Sequence, residues 1–217
     1  MKTIKYPQSA ILIEDYKNKR ILIDPRSYCY DENFTANDWG KIDILLITHI
    51  LSDHCFPEAI KIIKQNNPYL IILSNTEVKE KLKNEADIDC EIIKPGEEKQ
   101  IDDIRMRGVK SIHGDLPSGK PKPDVIGFLI DDKIYHPGDT IYLEEKLKVE
   151  IVFVPICGTV VMNPKEAAKF AKEINPKLTI PIHYDSPNYP IDVNDFIREM
   201  KGYNIKALEN GKNIEID

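Results

Sequence analysis

Short apolar runs separated by polar turns recur along the chain, and most are too short to be anything but strands. Ala10–Ile13 and Arg20–Ile23 flank the polar stretch Asp15–Lys19, the pattern of a β-hairpin, and Asp24-Pro25 ends the second strand. Ile42–Ile47 is a dense run of β-branched residues and leucine. It predicts a strand buried on both faces that leads straight into Thr48-His49. Pro57 then opens a helix through Ile60, Ile63 and Lys64, since proline is tolerated in a first turn. Leu70–Leu73 reads as a strand, Glu77–Lys83 as a short helix, and Ile104–Ile112 as a longer strand running into His113. Val125–Ile130 and Lys133–His136 form a second predicted hairpin that turns at Asp131-Asp132. Ile151–Pro155 is a strand, Pro164–Ile174 an amphipathic helix capped by Asn163, and Leu178–Ile182 a strand ending at His183. Asp192–Met200 predicts a helix, and Ile205–Leu208 with Asn213–Ile216 a closing pair that turns at Asn210-Gly211.

The order is therefore strands, then strand-helix units, then strands again. Helices covering the outer faces of two sheets that meet inside would satisfy it. The 217 residues contain no internal repeat and no Gly/Ser linker, and the reading is one domain over residues 1–217. With 41% hydrophobic and 30% charged residues the chain is too apolar to be disordered. No apolar run reaches the roughly 18 residues a membrane-spanning helix needs, and MKTIKYPQSA lacks the apolar core of a secretory signal. A cytoplasmic protein without a membrane partner is expected. A net charge of -6 argues against nucleic acid as a partner, because phosphate neutralisation needs surplus Lys and Arg. Cys29, Cys55, Cys90 and Cys157 are widely spread and predict buried free thiols, with neither a zinc knuckle nor a disulfide framework.

The candidate chemistry lies where strands end. His49, His113, His136 and His183 each end a predicted strand or begin the turn after one, and His54 shares the turn of His49. Asp53 adjoins His54, and Asp139 lies in the turn His136-Pro137-Gly138-Asp139-Thr140. Strand ends at one edge of a sheet let side chains distant in sequence converge on a ligand. Imidazoles and carboxylates are the donor set for Zn, Mn or Fe at a hydrolytic site. One strand-end histidine is ordinarily structural, but five of them with two aspartates point to metal.

At these residues the chain resembles the metallo-β-lactamase superfamily, whose mark is H-x-H-x-D-H after a buried strand, followed by separate His, Asp and His ligands. Thr48 to His54 reads THILSDH, and the later ligands correspond to His113 in SIHGD, Asp139 in HPGDT and His183 in IPIHYD. The resemblance extends to IDP near the start and to PICGTVVMNPKEAAKFAKEINPKLTIPIH, and looks most like the branch that includes ascorbate-6-phosphate lactonase. It implies an α/β (α+β) fold, a four-layer αβ/βα sandwich of two mixed sheets with helices on the outer faces. It implies one metal position built from His49 and His113 with Asp139 bridging, and another from Asp53, His54, His183 and the same Asp139. The implied chemistry is attack by a metal-bound water or hydroxide on a small ester, lactone or phosphoester, with Asp53 as the catalytic group that orients the nucleophile.

The motif's second histidine is Leu51 here, which has no lone pair to offer. The reading favours one divalent ion, Zn or Mn, over two. His136 is either a group behind the ligands or a substitute for the missing imidazole, and strand alternation favours the former. Asp24 is another candidate for support behind the ligands. Two alternatives stay open beside small-molecule hydrolysis: a nuclease or phosphodiesterase, and a degenerate metal-binding or sensing protein. Monomer and homo-oligomer are both open. The segment Leu116–Pro123 is a loop beside His113 that either borders the substrate pocket or simply connects strands.

Overall fold

The computed structural model describes residues 1–26, 39–141 and 146–216. They divide into two compact units, the first comprising Met1–Ile93 with Glu209–Asp217 and the second Lys94–Leu208.

In the first unit, β1 (Lys2–Lys5), β2 (Ile11–Tyr16), β3 (Lys19–Ile23), β4 (Ile44–Leu46), β5 (Ile71–Ser74), β6 (Glu91–Ile92) and β13 (Asn213–Glu215) form a mixed sheet. Their order is β13-β1-β2-β3-β4-β5-β6. The pairs from β13 to β3 are antiparallel and those from β3 to β6 parallel. The predicted hairpin is present but tighter than the polar stretch implies. Lys17 and Asn18 both take positive φ, which turns the chain in two residues and lets β2 run on to Tyr16. Helices α1 (Pro57–Asn66) and α2 (Thr76–Ala86) belong to this unit. Ile60 and Ile63 of α1 and Val78 and Leu82 of α2 are buried with Leu45, Ile47 and Ile72.

In the second unit, β7 (Glu98–Ile101), β8 (Ile104–Ile112), β9 (Asp124–Ile130), β10 (Ile134–His136), β11 (Ile151–Pro155) and β12 (Leu178–Ile182) form the other mixed sheet. The order is β12-β11-β10-β9-β8-β7, antiparallel from β7 to β10 and parallel from β10 to β12. Asp131 and Asp132 turn β9 into β10 with positive φ, as Lys17 and Asn18 do in the first hairpin. Helix α3 (Pro164–Ile174) starts on a full capping box, in which the Asn163 side chain accepts from the Glu166 amide and Glu166 reaches back to the Asn163 amide. It buries Ala167, Phe170, Ala171 and Ile174 against Val152, Val154 and, from α4 (Val193–Glu199), Phe196.

One expectation fails. Ile205–Leu208 does not pair with the last strand: β13 pairs with β1, and Ile205 makes a single parallel bridge to Thr179. Asn210-Gly211 looks like a hairpin turn, but the open edge of β1 takes the final strand, and Gly211 donates its amide to Lys5. The short β1 carries too little alternation to read beforehand. No helix among the described residues is long and apolar enough to cross a membrane.

Candidate functional site

Asp24 organises the site residues of the first unit. It follows β3 with a left-handed φ of 50°, its amide donates to Leu46 across the parallel pair, and its side chain is fully buried. Asp24 Oδ1 accepts the Thr48 amide at 2.8 Å, and Oδ2 accepts the Thr48 hydroxyl at 2.8 Å. Oδ2 also lies 2.7 Å from His54 Nδ1. A carboxylate oxygen only accepts, so His54 Nδ1 carries a proton, and in the neutral ring Nε2 carries the lone pair. Thr48 has committed its hydrogen to Asp24, so its oxygen accepts from His49 Nδ1 at 3.0 Å. His49 is thereby held in the same tautomer. One buried carboxylate sets both rings, His54 directly and His49 through a hydroxyl. The two rings lie side by side with centroids 4.0 Å apart.

Asp53 is half-buried, with Oδ2 3.9 Å from His54 Nε2. Both sit on a tight turn in which the Leu51 carbonyl accepts the amides of His54 and Cys55, each at 2.8 Å.

The second unit holds the other candidates. His113 follows β8, His183 follows β12 with a φ of 57°, and Asp139 lies after β10; all three are buried. His113 Nδ1 lies 2.8 Å from the Gly114 carbonyl, an acceptor, so here too Nδ1 donates and Nε2 has the lone pair. Gly114 must be glycine: an added Cβ would stand 2.4 Å from the Val160 carbonyl, which its amide binds at 2.9 Å. Asp139 Oδ2 lies 3.6 Å from His113 Nε2 and 3.2 Å from His183 Nε2. The turn bearing Asp139 is pinned to β8, because the Ser111 hydroxyl donates to the Pro137 carbonyl at 2.6 Å and the Ile141 amide to the Ile112 carbonyl at 2.9 Å. His136 Nδ1 accepts the Gly138 amide at 3.2 Å, and its ring packs on Phe153. That nitrogen therefore shapes the Asp139 turn.

The donor chemistry fits a divalent cation. Asp139 Oδ2 faces His113 Nε2 at 3.6 Å, too long for a hydrogen bond, and with the ring neutral these are two acceptors that a cation between them would reconcile. Two ligands of one tetrahedral zinc, each about 2.1 Å from it, stand about 3.4 Å apart. The separations at Asp139 bracket that edge. Asp53, His54, His113, Asp139 and His183, with His49, are the candidate metal ligands among the described residues.

The described cysteines are free and buried. Burial pushes the Cys55 thiol up to about 12 and the Cys90 thiol to about 11, so neither is a nucleophile at neutral pH. Burial also pushes Cys157 up, but a hydrogen bond to His183, the His183 charge and the Val160 and Thr159 amides outweigh it and hold that thiol below its ordinary value. Cys29 lies outside the described residues. Thr48, which sets His49, was written in the motif all along. Its position before the first histidine is the only signal, and its role depends on Asp24 being within reach.

The comparisons with known proteins identify the fold and the family. A metallo hydrolase from the hyperthermophilic archaeon Ignicoccus hospitalis superposes with a TM-score of 0.76 at 22% identity, over 100% of this chain and 99% of that one. The metallo-β-lactamase fold protein YhfI of Bacillus subtilis superposes with a TM-score of 0.70 at 17% identity over 98% of each chain, and the two mixed sheets and four helices of the described residues have that fold. The β-lactamase superfamily domain matches residues 4–183. A UPF0173 metal-dependent hydrolase of Thermoplasma acidophilum is 31% identical over 183 residues, 77% of each chain. Another, of Nanoarchaeum equitans, is 30% identical over 231 residues, 99% of each. The chain belongs to the β-lactamase superfamily and, within it, to the UPF0173 metal-dependent hydrolases.

Proposed function

We propose that the protein hydrolyses a small ester, lactone or phosphoester with one divalent cation, Zn or Mn, held by Asp53, His54, Asp139 and His183. The observation that carries this reading is the control of His54, whose Nδ1 faces Asp24 so that Nε2 is the nitrogen turned to a ligand, an orientation repeated at His49 through Thr48 and at His113 through the Gly114 carbonyl. A structural histidine has no need of that common orientation. His49 and His113 with Asp139 form a second, poorer set, because Leu51 contributes no imidazole.

A cation bound by these residues supplies Lewis acidity, acidifying water and polarising the substrate oxygen. Asp139 brings a buried negative charge that balances the cation, and Asp24 stabilises positive charge on His54 as that ring becomes a ligand. Asp53 is the least buried of the candidate ligands, and its carboxylate can accept a proton from water and turn the nucleophile toward the substrate.

The whole of residues 1–217 is read as one domain, since the superfamily match runs through both compact units. The free buried thiols favour a reducing, cytoplasmic setting. The substrate class follows the lactonase-like branch that the motifs resemble. A screen of lactones, aryl esters and phosphodiesters against protein loaded with Zn or Mn tests it. Turnover that disappears with EDTA and returns with metal is the expected result, and hydrolysis unaffected by EDTA would overturn the reading.

A further inference from the structure

We infer that Lys81 is a positioning residue, an ammonium clamp that presets the ligand-bearing turn; this rests on the proposal that Asp53 and His54 bind metal. Lys81 Nζ donates to the Ile50 carbonyl at 2.8 Å and to the Cys55 carbonyl at 3.3 Å. Those two residues bracket Leu51, Ser52, Asp53 and His54, so one cation spans the turn from end to end. Within the turn, the amides of His54 and Cys55 converge on the single carbonyl of Leu51.

Lys81 is the last of a series. The Ser74 hydroxyl donates to the Ile47 carbonyl at 2.5 Å, and the Asn75 side-chain amide to the Thr48 carbonyl at 3.4 Å. Side chains from the end of β5, from the cap of α2 and from α2 itself thus take the carbonyls of residues 47, 48, 50 and 55 in turn. The helix can bear this load because Val78 and Leu82, on either side of Lys81 in sequence, are fully buried, and because Asn75 caps its start by accepting the Val78 amide. Asp24 sets which nitrogen each ring presents, whereas Lys81 sets where the backbone carries His54 and Asp53. Ligands held by a preset backbone bind metal without first ordering the turn, and loss of an outer support of this kind costs about 10- to 100-fold in metal affinity.

The test compares full-length wild type, Lys81→Met, Lys81→Arg and the exposed-lysine control Lys61→Met. Two readouts are needed: hydrogen exchange at the His54 and Cys55 amides in EDTA-treated protein, and Zn affinity by competition with a chelating dye. Lys81→Met should speed both amides several-fold without metal and weaken Zn binding about tenfold, with part of the loss recovered in Lys81→Arg and none seen in Lys61→Met. Unchanged exchange in Lys81→Met overturns the clamp, as does faster exchange with wild-type Zn affinity. A wild type that binds neither Zn nor Mn overturns the metal reading itself, and the assignment of Lys81 to metal-ligand positioning with it.

Discussion

Replacing Asp24 with asparagine tests whether one carboxylate sets both imidazoles of the first unit. The side chain is fully buried and receives three donors, the Thr48 amide, the Thr48 hydroxyl and His54 Nδ1. Asparagine has one acceptor oxygen and one amide. If the oxygen faces Thr48 Oγ1 and His54, the amide points at the Thr48 N–H, donor against donor; if the amide flips, His54 loses its acceptor. At least one hydrogen bond to a charged group is lost in either orientation, worth about 1.5–3 kcal/mol, and the remaining bonds lose their charge assistance. We expect the metal-free protein to lose about 2–4 kcal/mol of stability in urea and Zn affinity to fall about 10- to 100-fold. Thr48→Val removes only the link to His49 and should have the smaller effect on metal. Urea titration of EDTA-treated protein and Zn competition with a chelating dye measure the two quantities. An Asp24→Asn variant within about 0.5 kcal/mol and twofold of wild type in both would refute the reasoning.

Leu51→His should raise bound metal toward two per chain by elemental analysis, because the Leu51 backbone carbonyl rather than its side chain holds the turn and an imidazole can be added without rebuilding it. Asp139→Ala should abolish metal retention more completely than His49→Ala, since Asp139 lies against two candidate imidazoles in its own unit; equal loss in the two would count against a single main position. Glu14 provides a pH test. Burial pushes its carboxyl up, but the Lys2 hydrogen bond, the charges of Arg20 and Lys2 and the Arg20 hydrogen bond outweigh that and hold it below 4.5. A depressed carboxylate stabilises the fold above its unfolded value and stops doing so as pH falls through its folded one. Stability should therefore decline with acid below 4.5 in wild type and less steeply in Glu14→Gln, measured by thermal melts between pH 6 and about 3.

What was legible in the sequence follows from which forces are local. Ile104–Ile112, Ile151–Pro155, Pro164–Ile174 and Leu178–Ile182 match their predicted bounds, because apolar periodicity, a capping asparagine and terminal prolines act within a few residues. The histidines at strand ends were legible for the same reason. Pairing is not local: nothing in Asn213–Glu215 says that β1 is its partner, and the hairpin reading of Asn210-Gly211 took the nearest strand in sequence. The supports behind the rings are longer-range still. Asp24 meets His54 across thirty positions and Lys81 meets Ile50 across thirty-one, separations that only the folded sheet brings within hydrogen-bond reach.

The most direct test of the metal assignment is anomalous diffraction at the Zn or Mn absorption edge from crystals of the metal-loaded protein. We expect one fully occupied ion bounded by Asp53 and Asp139 oxygens and by His54 and His183 nitrogens at about 2.0–2.2 Å if the metal is zinc. Two ions of equal occupancy, or a single ion bound away from these four residues, would contradict the account.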